Sequence, residues 1–168
     1  MKQTLRILVI LALSLLVCSC TGYRAAADRE APLKLPENFR DLHLRSVENP
    51  TMDQGLEARL RSTLRDELTR RARVLWVPRE SATAYVDVTV HHFTSHTSLT
   101  GADDETIKSN ASIELSAALV RRSDGSLIWS SDHVGYSQSF SGDNRAQAEA
   151  TVLDMAVRRM VDSMGQNY

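Results

Sequence analysis

Residues 84–94 read AYVDVTVHHFT, and residues 106–120 read TIKSNASIELSAALV. Apolar residues occupy alternate positions in both stretches, with polar residues between them. The clearest of these apolar positions are Val86, Val88, Val90, Ile113 and Leu115. Such alternation is typical of a strand with one buried face and one solvated face. The two stretches therefore predict long antiparallel strands that share one core.

Shorter strands are predicted on either side of this pair. Residues 41–46 alternate in the same way, and residues 74–77 form a short apolar run that ends at Pro78. The dipeptide Asp124-Gly125 is a hairpin signal, and it leads into a predicted strand over residues 126–140. In residues 84–94, the same alternation places His91 and Phe93 on the polar face, on the other side of the strand from Val86, Val88 and Val90.

Two amphipathic helices complete the pattern. In the first, an apolar residue recurs every fourth position at Leu56, Leu60, Leu64 and Leu68, and arginines occupy the other faces. Thr51 and Gln54 have the spacing of a capping box, which predicts the start of this helix, and the pattern ends near Ala72. The second helix follows Asn144 and carries the stripe Leu153, Val157 and Met160.

The sequence thus predicts an α+β two-layer sandwich with two helices packed on one face of a mostly antiparallel four-stranded sheet. The residues expected in one shared core are Leu60, Leu64, Leu68, Val86, Val88, Val90, Ile113, Leu115, Leu153, Val157 and Met160.

The N-terminus carries a targeting signal. Lys2 and Arg6 precede an apolar run over residues 7–17, which is too short for a comfortable transmembrane helix and is typical of a signal peptide. The following Val17-Cys18-Ser19-Cys20 resembles a lipobox, with an aliphatic residue at −3 and a small one at −1 relative to Cys20. We therefore expect a signal peptide over residues 1–19, a lipidated tether over residues 20–36, and one domain over residues 37–168.

Charge and cysteine content limit the function. Cleavage before Cys20 removes Lys2 and Arg6, so the formal net charge falls from −1 to −3. A mildly acidic chain without a basic block argues against nucleic-acid binding. Cys18 leaves with the signal peptide and Cys20 would be acylated, so we expect no disulfide. Thr21 follows the cysteine where Asp would favour inner-membrane retention, and by resemblance to enterobacterial sorting this favours the outer membrane.

Catalytic and metal sites are not expected. Among His91, His92 and His96, neighbours on a strand project to opposite faces, and His92 and His96 would lie roughly 13 Å apart. The acidic run at residues 103–105 lacks the ordered oxygen spacing of a calcium loop. We find no nucleophile elbow, phosphate loop or paired cysteine motif. The sequence therefore predicts a protein that is not an enzyme and needs no cofactor.

The order of these parts resembles the lipopolysaccharide-assembly lipoproteins of the LptE type. The stretches that carry the resemblance are Gly22-Tyr23 after Cys20, Leu35-Pro36, residues 47–51, Gly55-Leu56-Glu57, residues 84–87 and residues 124–129. Thr21 between the cysteine and Gly22, and Tyr85 where the family often has Asp, depart from the pattern. The resemblance implies a non-catalytic lipoprotein that sits inside the lumen of the outer-membrane barrel LptD and helps to move lipopolysaccharide to the cell surface.

Another lipoprotein class remains an alternative. Small α/β activators of cell-wall synthases, and related secretion-channel lipoproteins, also place an Asn-x-Thr-like turn between a first strand and a leucine-rich helix. The three long strands and the long C-terminal helix favour the LptE interpretation over this class. Capture of a large barrel or of a peptidoglycan synthase would distinguish the two.

A candidate lipopolysaccharide contact lies at the turn after the second long strand. Arg121 and Arg122 flank Asp124-Gly125 at a strand end, and an arginine binds phosphate through a planar fork of donors. Lys108 lies on the polar face, at the other end of the strand if the register is simple. The alternative is that Arg121, Arg122 and Lys108 are ordinary solvated charges of a hairpin.

Overall fold

The structure, a computed structural model, describes Leu33, Leu35 and residues 39–100, 106–141 and 144–166. Its elements in chain order are β1 (Asp41–Glu48), α1 (Leu56–Ala72), β2 (Leu75–Trp76), β3 (Ala84–Thr100), β4 (Thr106–Arg121), β5 (Leu127–Ser130), β6 (Val134–Phe140) and α2 (Arg145–Gln166). The predicted signal peptide and Cys20 lie outside the described residues.

The six strands form one open, mixed sheet in the order β2-β1-β3-β4-β5. β6 also pairs with β4, along a different part of that strand from β5. β1 runs parallel to both β2 and β3, whereas β3, β4, β5 and β6 pair antiparallel. α1 connects β1 to the two strands that flank it, and this crossover returns the chain to the starting end of the sheet, so that the pairing is parallel.

Both helices pack on one face of this sheet, as the sequence predicts. The two helices contact each other, and α2 also contacts β4 and β6. All eleven residues expected in the core are buried in one cluster, which also includes Leu33, Leu35, Trp129 and Val152. The α+β two-layer arrangement and its core are therefore confirmed.

The strand count differs from the predicted four. The short strand predicted over residues 74–77 is β2 and joins the sheet as a strand of its own, and the strand predicted over residues 126–140 is two strands, β5 and β6, on the same edge of β4. The break falls at Ser131, whose hydroxyl accepts a hydrogen bond from the Ala117 amide at 2.7 Å while its own amide bonds the Ala117 carbonyl at 2.8 Å. A side chain thus replaces a backbone partner, and the chain leaves the ladder before β6 begins.

The predicted capping box at Thr51 and Gln54 is wrong. α1 begins at Leu56 with Gly55 at the N-cap, where no side chain caps the helix. The Thr51 hydroxyl instead donates to the Asn49 side chain at 2.6 Å. Asn49 therefore organises the turn after β1, and the leucine pattern of the helix starts only after that turn is complete.

A bulge in β3 changes the predicted alternation. The register with β4 shifts between Val90 and His92, so that Phe93 lies opposite the buried Ile113 and packs against the core. Phe93 was expected on the polar face. Because the bulge adds one residue, His91 contacts Ser116 and His92 lies opposite Glu114, so both histidines lie on the same face of the sheet.

Candidate functional site

The face of the sheet without helices is polar and uncovered by any other described element. Its side chains are mostly short and neutral, and they are half-buried or exposed. They include Thr89, Thr94, Asn110, Ser112, Ser116, Ser137 and Ser139. Ser112 lies opposite Thr94 on β3 and Ser137 on β6, so it marks the middle of three adjacent strands. We refer to this surface as the polar face.

Two histidines stack on the polar face. The rings of His91 and His133 lie with centroids 4.0 Å apart and planes at 19°. Nε2 of His91 lies 2.8 Å from the Ser116 hydroxyl, and Nδ1 of His133 lies 2.8 Å from a Glu114 carboxylate oxygen. The cluster joins β3, β4 and the residue before β6. The alternation of residues within one strand cannot predict it, because the two histidines are distant in the chain.

A shallow cavity of about 380 Å³ adjoins this cluster, and its lining includes His92, Glu114, Tyr136 and Arg159. Arg159 on α2 donates to the Gly135 carbonyl at 2.9 Å and lies 4.7 Å from the Tyr136 ring centroid. The helix thus supplies a cation at the β6 edge of the polar face.

A second charged cluster lies at the β1 side of the polar face. Arg45 donates from Nε to Asp87 at 2.9 Å and also bonds the second Asp87 oxygen, and Ser46 donates to the same carboxylate at 2.8 Å. Partial burial raises the pKa of Asp87, but the hydrogen bonds from Arg45 and Ser46, together with the Arg45 charge, outweigh burial and lower this pKa below its ordinary value. Arg45 also lies 5.2 Å from the Tyr85 ring centroid.

The β4–β5 turn places Arg121 and Arg122 at one end of the sheet. Gly125 takes a positive φ of 70°, and the Asp124 carboxylate accepts hydrogen bonds from the backbone and hydroxyl of Ser126 at 3.0 and 2.7 Å. These hydrogen bonds lower the pKa of Asp124. The turn predicted from Asp124-Gly125 is confirmed.

Both arginines are exposed and line an open cleft of about 500 Å³ together with Phe39, Ser81 and Thr83. The Arg121 guanidinium lies 5.7 Å from the Phe39 ring centroid and 3.7 Å from Asp124, which is a long ion pair. The Arg122 amide donates to the Thr83 carbonyl at 3.1 Å. Backbone hydrogen bonds therefore fix this turn, and the Arg121 guanidinium is also held by Asp124 and Phe39.

Lys108 is exposed at the opposite end of β4, on the polar face. Thirteen residues separate it from Arg121 along one strand, which corresponds to roughly 43 Å. The structure therefore does not bring Lys108 and the arginine pair together, and one phosphate group cannot contact both.

The part of the chain that the structure describes holds neither a metal-ligand cluster nor a membrane-spanning helix. Among the described residues, no three His, Cys, Asp or Glu side chains are grouped so that they could hold a metal ion. In the same part of the chain, neither helix combines the length and apolar character needed to cross a membrane.

Solved structures with a similar fold include lipoproteins. Lipoprotein B from Nitrosomonas europaea is 10% identical, with a TM-score of 0.59 over 79% of this chain and 84% of that chain. A putative lipoprotein from Caulobacter crescentus is 11% identical, with a TM-score of 0.52 over 77% of this chain and 90% of that chain. At these identities the similarity shows the fold alone. No curated protein matches the sequence.

The family comparison is more specific, because it covers the whole described domain from Phe39 onward. The family model described as LptE, lipopolysaccharide-assembly, matches residues 39–166, which is well over half of the chain. The chain belongs to the LptE lipopolysaccharide-assembly family.

Proposed function

We propose that this chain is an outer-membrane lipoprotein, lipidated on Cys20, that partners an LptD-like β-barrel in lipopolysaccharide transport. In this proposal the domain is a non-catalytic plug that also binds lipopolysaccharide. Family membership implies a role in lipopolysaccharide assembly with the partners of that machinery and agrees with an envelope location, and the family is generally non-catalytic. The barrel, the lipid anchor and the outer membrane are the specific parts of the proposal.

The polar face is the observation that supports a barrel partner most directly. A wide surface of hydroxyl, amide and imidazole groups can exchange hydrogen bonds with the polar interior of a large barrel. Two of its charged groups, Arg45 and Asp87, are paired with each other, which limits the cost of desolvating them. The core lies entirely on the other side of the sheet, so contact through the polar face needs no unfolding.

Barrel capture can be tested with one bulky substitution on each side of the molecule. Ser112→Tyr places a ring in the middle of the polar face, whereas Ser62→Tyr places the same ring on the exposed side of α1. We expect Ser112→Tyr to reduce recovery of a large outer-membrane barrel with the lipidated protein by several-fold, and Ser62→Tyr to leave recovery unchanged. Equal recovery with both variants would contradict a role for the polar face, and recovery of a peptidoglycan synthase instead would favour the alternative class.

Lipopolysaccharide contact is proposed for Arg121 and Arg122 in their cleft, because lipid A carries anionic phosphates that a guanidinium fork fits. Their backbone hydrogen bonds do not depend on the side chains. The double variant Arg121→Asp, Arg122→Asp should therefore weaken lipopolysaccharide binding while folding and barrel capture persist. Binding equal to that of the wild type would place the contact elsewhere.

Lys108 is proposed as a separate contact, since it lies too far from the arginine pair to share their ligand group. Lys108→Glu alone should lower lipopolysaccharide affinity by a smaller factor than the double arginine variant, because one cation is lost instead of two. Additive losses in the triple variant would support two contacts, and no loss with Lys108→Glu would remove Lys108 from the proposal.

Lipidation can be tested independently of the domain. Cys20→Ala removes the thiol that accepts the diacylglyceryl group, so we expect an uncleaved or misrouted protein without metabolically incorporated lipid. Stable membrane attachment needs two anchoring signals, because a single acyl chain binds a membrane only marginally. Normal membrane fractionation and an unchanged mass of the variant would contradict the proposal for Cys20.

A further inference from the structure

Trp76 lies at the β2 edge of the sheet with Arg65 over its ring, and Arg73 precedes the same strand at the end of α1. The indole nitrogen of Trp76 donates to the Thr69 hydroxyl at 2.9 Å, and the Arg65 guanidinium lies 5.3 Å from the centroid of the Trp76 ring. Trp76 is partly buried against the core, whereas the neighbouring Leu75 projects from the other face of this edge strand and is 62% exposed, which is high for a large apolar side chain. We refer to Arg65, Arg73, Leu75 and Trp76 as the Trp76 patch.

The patch adjoins a cleft of about 370 Å³ whose lining is cationic and apolar. The lining residues are His43, Leu44, Arg61, Arg65, Trp76, Val77 and Pro78, without a carboxylate among them. Arg61 is paired with Glu57 at 2.9 Å, whereas Arg65 and Arg73 make no ion pair with any described residue. Asp41, which lies opposite Leu75, is a carboxylate outside this lining.

Arg73 occupies a position that normally favours glycine. It follows the last residue of α1 in the left-handed region, with φ 53° and ψ 39°, and no other non-glycine residue of the described chain has a positive φ. A non-glycine residue is disfavoured there because its Cβ crowds the backbone. The exposed Arg73 side chain is thus held at a backbone position where glycine would be more stable.

The chain enters the domain beside this patch. The Leu33 amide donates to the Arg71 carbonyl at 2.9 Å in the last turn of α1, two residues before Arg73. Thirteen residues separate Leu33 from Cys20, and they can span at most roughly 43 Å. A lipid on Cys20 would therefore hold the molecule to the membrane by a connection that ends next to the Trp76 patch.

We propose that the Trp76 patch docks on a membrane surface of anionic phospholipid, with Arg65 and Arg73 on the phosphates and with Leu75 and Trp76 at the headgroup boundary. Arginines beside tryptophan and exposed leucine are the usual composition of an interfacial contact. The geometry uses residues distinct from Arg121, Arg122 and the polar face. The inference rests on the proposed lipidation of Cys20 but on neither the barrel nor lipopolysaccharide.

The test uses the lipidated full chain with Trp129→Phe, so that Trp76 is the single fluorescent indole. Trp129 is buried and its indole nitrogen has no hydrogen-bond partner among the described residues, so phenylalanine loses no hydrogen bond there. The protein is reconstituted on vesicles of phosphatidylcholine, alone or mixed with phosphatidylglycerol. The measurement is the ratio of Trp76 fluorescence with brominated acyl chains to that with unbrominated chains.

We expect strong quenching with phosphatidylglycerol, weak quenching with phosphatidylcholine alone, and loss of the difference in high salt because the attraction is screened. Arg65→Gln and Arg73→Gly should each lower the docked-to-undocked ratio roughly five-fold, as expected for one cation near an anionic surface. Arg73→Gly should do so while raising the unfolding midpoint. A control that removes two arginines elsewhere, Arg59→Gln with Arg145→Gln, should leave quenching unchanged.

Equal quenching on both kinds of vesicle would overturn the inference, as would unchanged quenching in Arg65→Gln and Arg73→Gly or an equal fall in the control. Mass spectrometry of the same sample reports lipidation separately. If the chain carries no lipid, the proposal for Cys20 fails, and the patch is then judged by whether the unlipidated chain floats with phosphatidylglycerol vesicles. Failure to float would overturn it.

Discussion

The two faces of the sheet carry the same strands but opposite chemistry. On the face below the helices, Val88, Leu115 and Ala111 are fully buried. The residues that directly follow them in sequence lie on the polar face and are only half-buried: Thr89, Ser116 and Ser112. The first face has the apolar area that stabilises the fold, and the second has hydrogen-bonding groups that the fold leaves uncovered.

This difference separates stability from recognition within single strands. A substitution at one position of β4 should change the free energy of unfolding, and a substitution at the next position should change only what the surface binds. Charged groups occur on both sides, because Glu67 and Arg71 are buried on α1 whereas Arg45 and Asp87 are partly exposed on the polar face.

The largest effect is expected in the core. Leu64→Ala or Val88→Ala should destabilise the domain by about 2–5 kcal/mol, because each removes buried methyl groups and leaves a cavity. Ser112→Ala on the opposite face of the sheet should change stability by less than about 0.5 kcal/mol. Urea unfolding followed by circular dichroism measures both. If Ser112→Ala destabilises as much as Val88→Ala, the two faces do not divide the roles in this way.

A smaller loss is expected at the buried ion pair of the helices. Glu67 and Arg71 have side chains only 7% and 8% exposed, and Arg71 also contacts Asp162 at 2.7 Å. Glu67 also accepts a hydrogen bond from Arg70 at 2.6 Å. Glu67→Gln removes the charge that both arginines face but leaves Arg71 with Asp162, and should cost about 2 kcal/mol, as for a lost hydrogen bond to a charged group.

The matched control is Glu57→Gln, which breaks an exposed pair with Arg61 on the same helix. Exposed pairs contribute at most about 1 kcal/mol, so this variant should unfold close to the wild-type midpoint. Equal shifts in the two variants would indicate that burial does not set the strength of these pairs.

The helices, the strands and their buried faces could be predicted because periodicity depends on local sequence. The bulge at His91 could not be predicted, since it depends on the register between β3 and β4. For the same reason Phe93 was assigned to the wrong face. The division of β5 from β6 depends on the Ser131 hydroxyl reaching the Ala117 amide, which is a contact between strands that no alternation within one strand reveals.

The candidate surfaces divide in the same way. The exposed turn with Arg121 and Arg122 follows from Asp124-Gly125, a local signal. The stack of His91 on His133, the pairing of Arg45 with Asp87 and the packing of Arg65 on Trp76 join distant parts of the chain. Each needs the sheet order or the crossing of α1 before it can be recognised.

The smallest effect is expected on the polar face, at Asp87, and it depends on pH. Because the folded-state pKa of Asp87 is lowered, the carboxylate stabilises the fold above its unfolded pKa of about 3.9. This contribution is lost as pH falls through the lower folded-state pKa. Arg45 is 39% exposed, so solvent screening limits the contribution at neutral pH to about 1 kcal/mol or less.

Asp87→Asn should therefore lower stability slightly at neutral pH, and its difference from the wild type should shrink as pH falls from about 5 towards 2. The control Asp66→Asn, at an exposed residue without an ion pair to any described residue, should change stability at neutral pH by less than about 0.5 kcal/mol. Urea unfolding at a series of pH values measures both. A difference that stays constant through this range would mean that Asp87 contributes by packing and neutral hydrogen bonds, and the polar face would then stabilise the fold without using its charge.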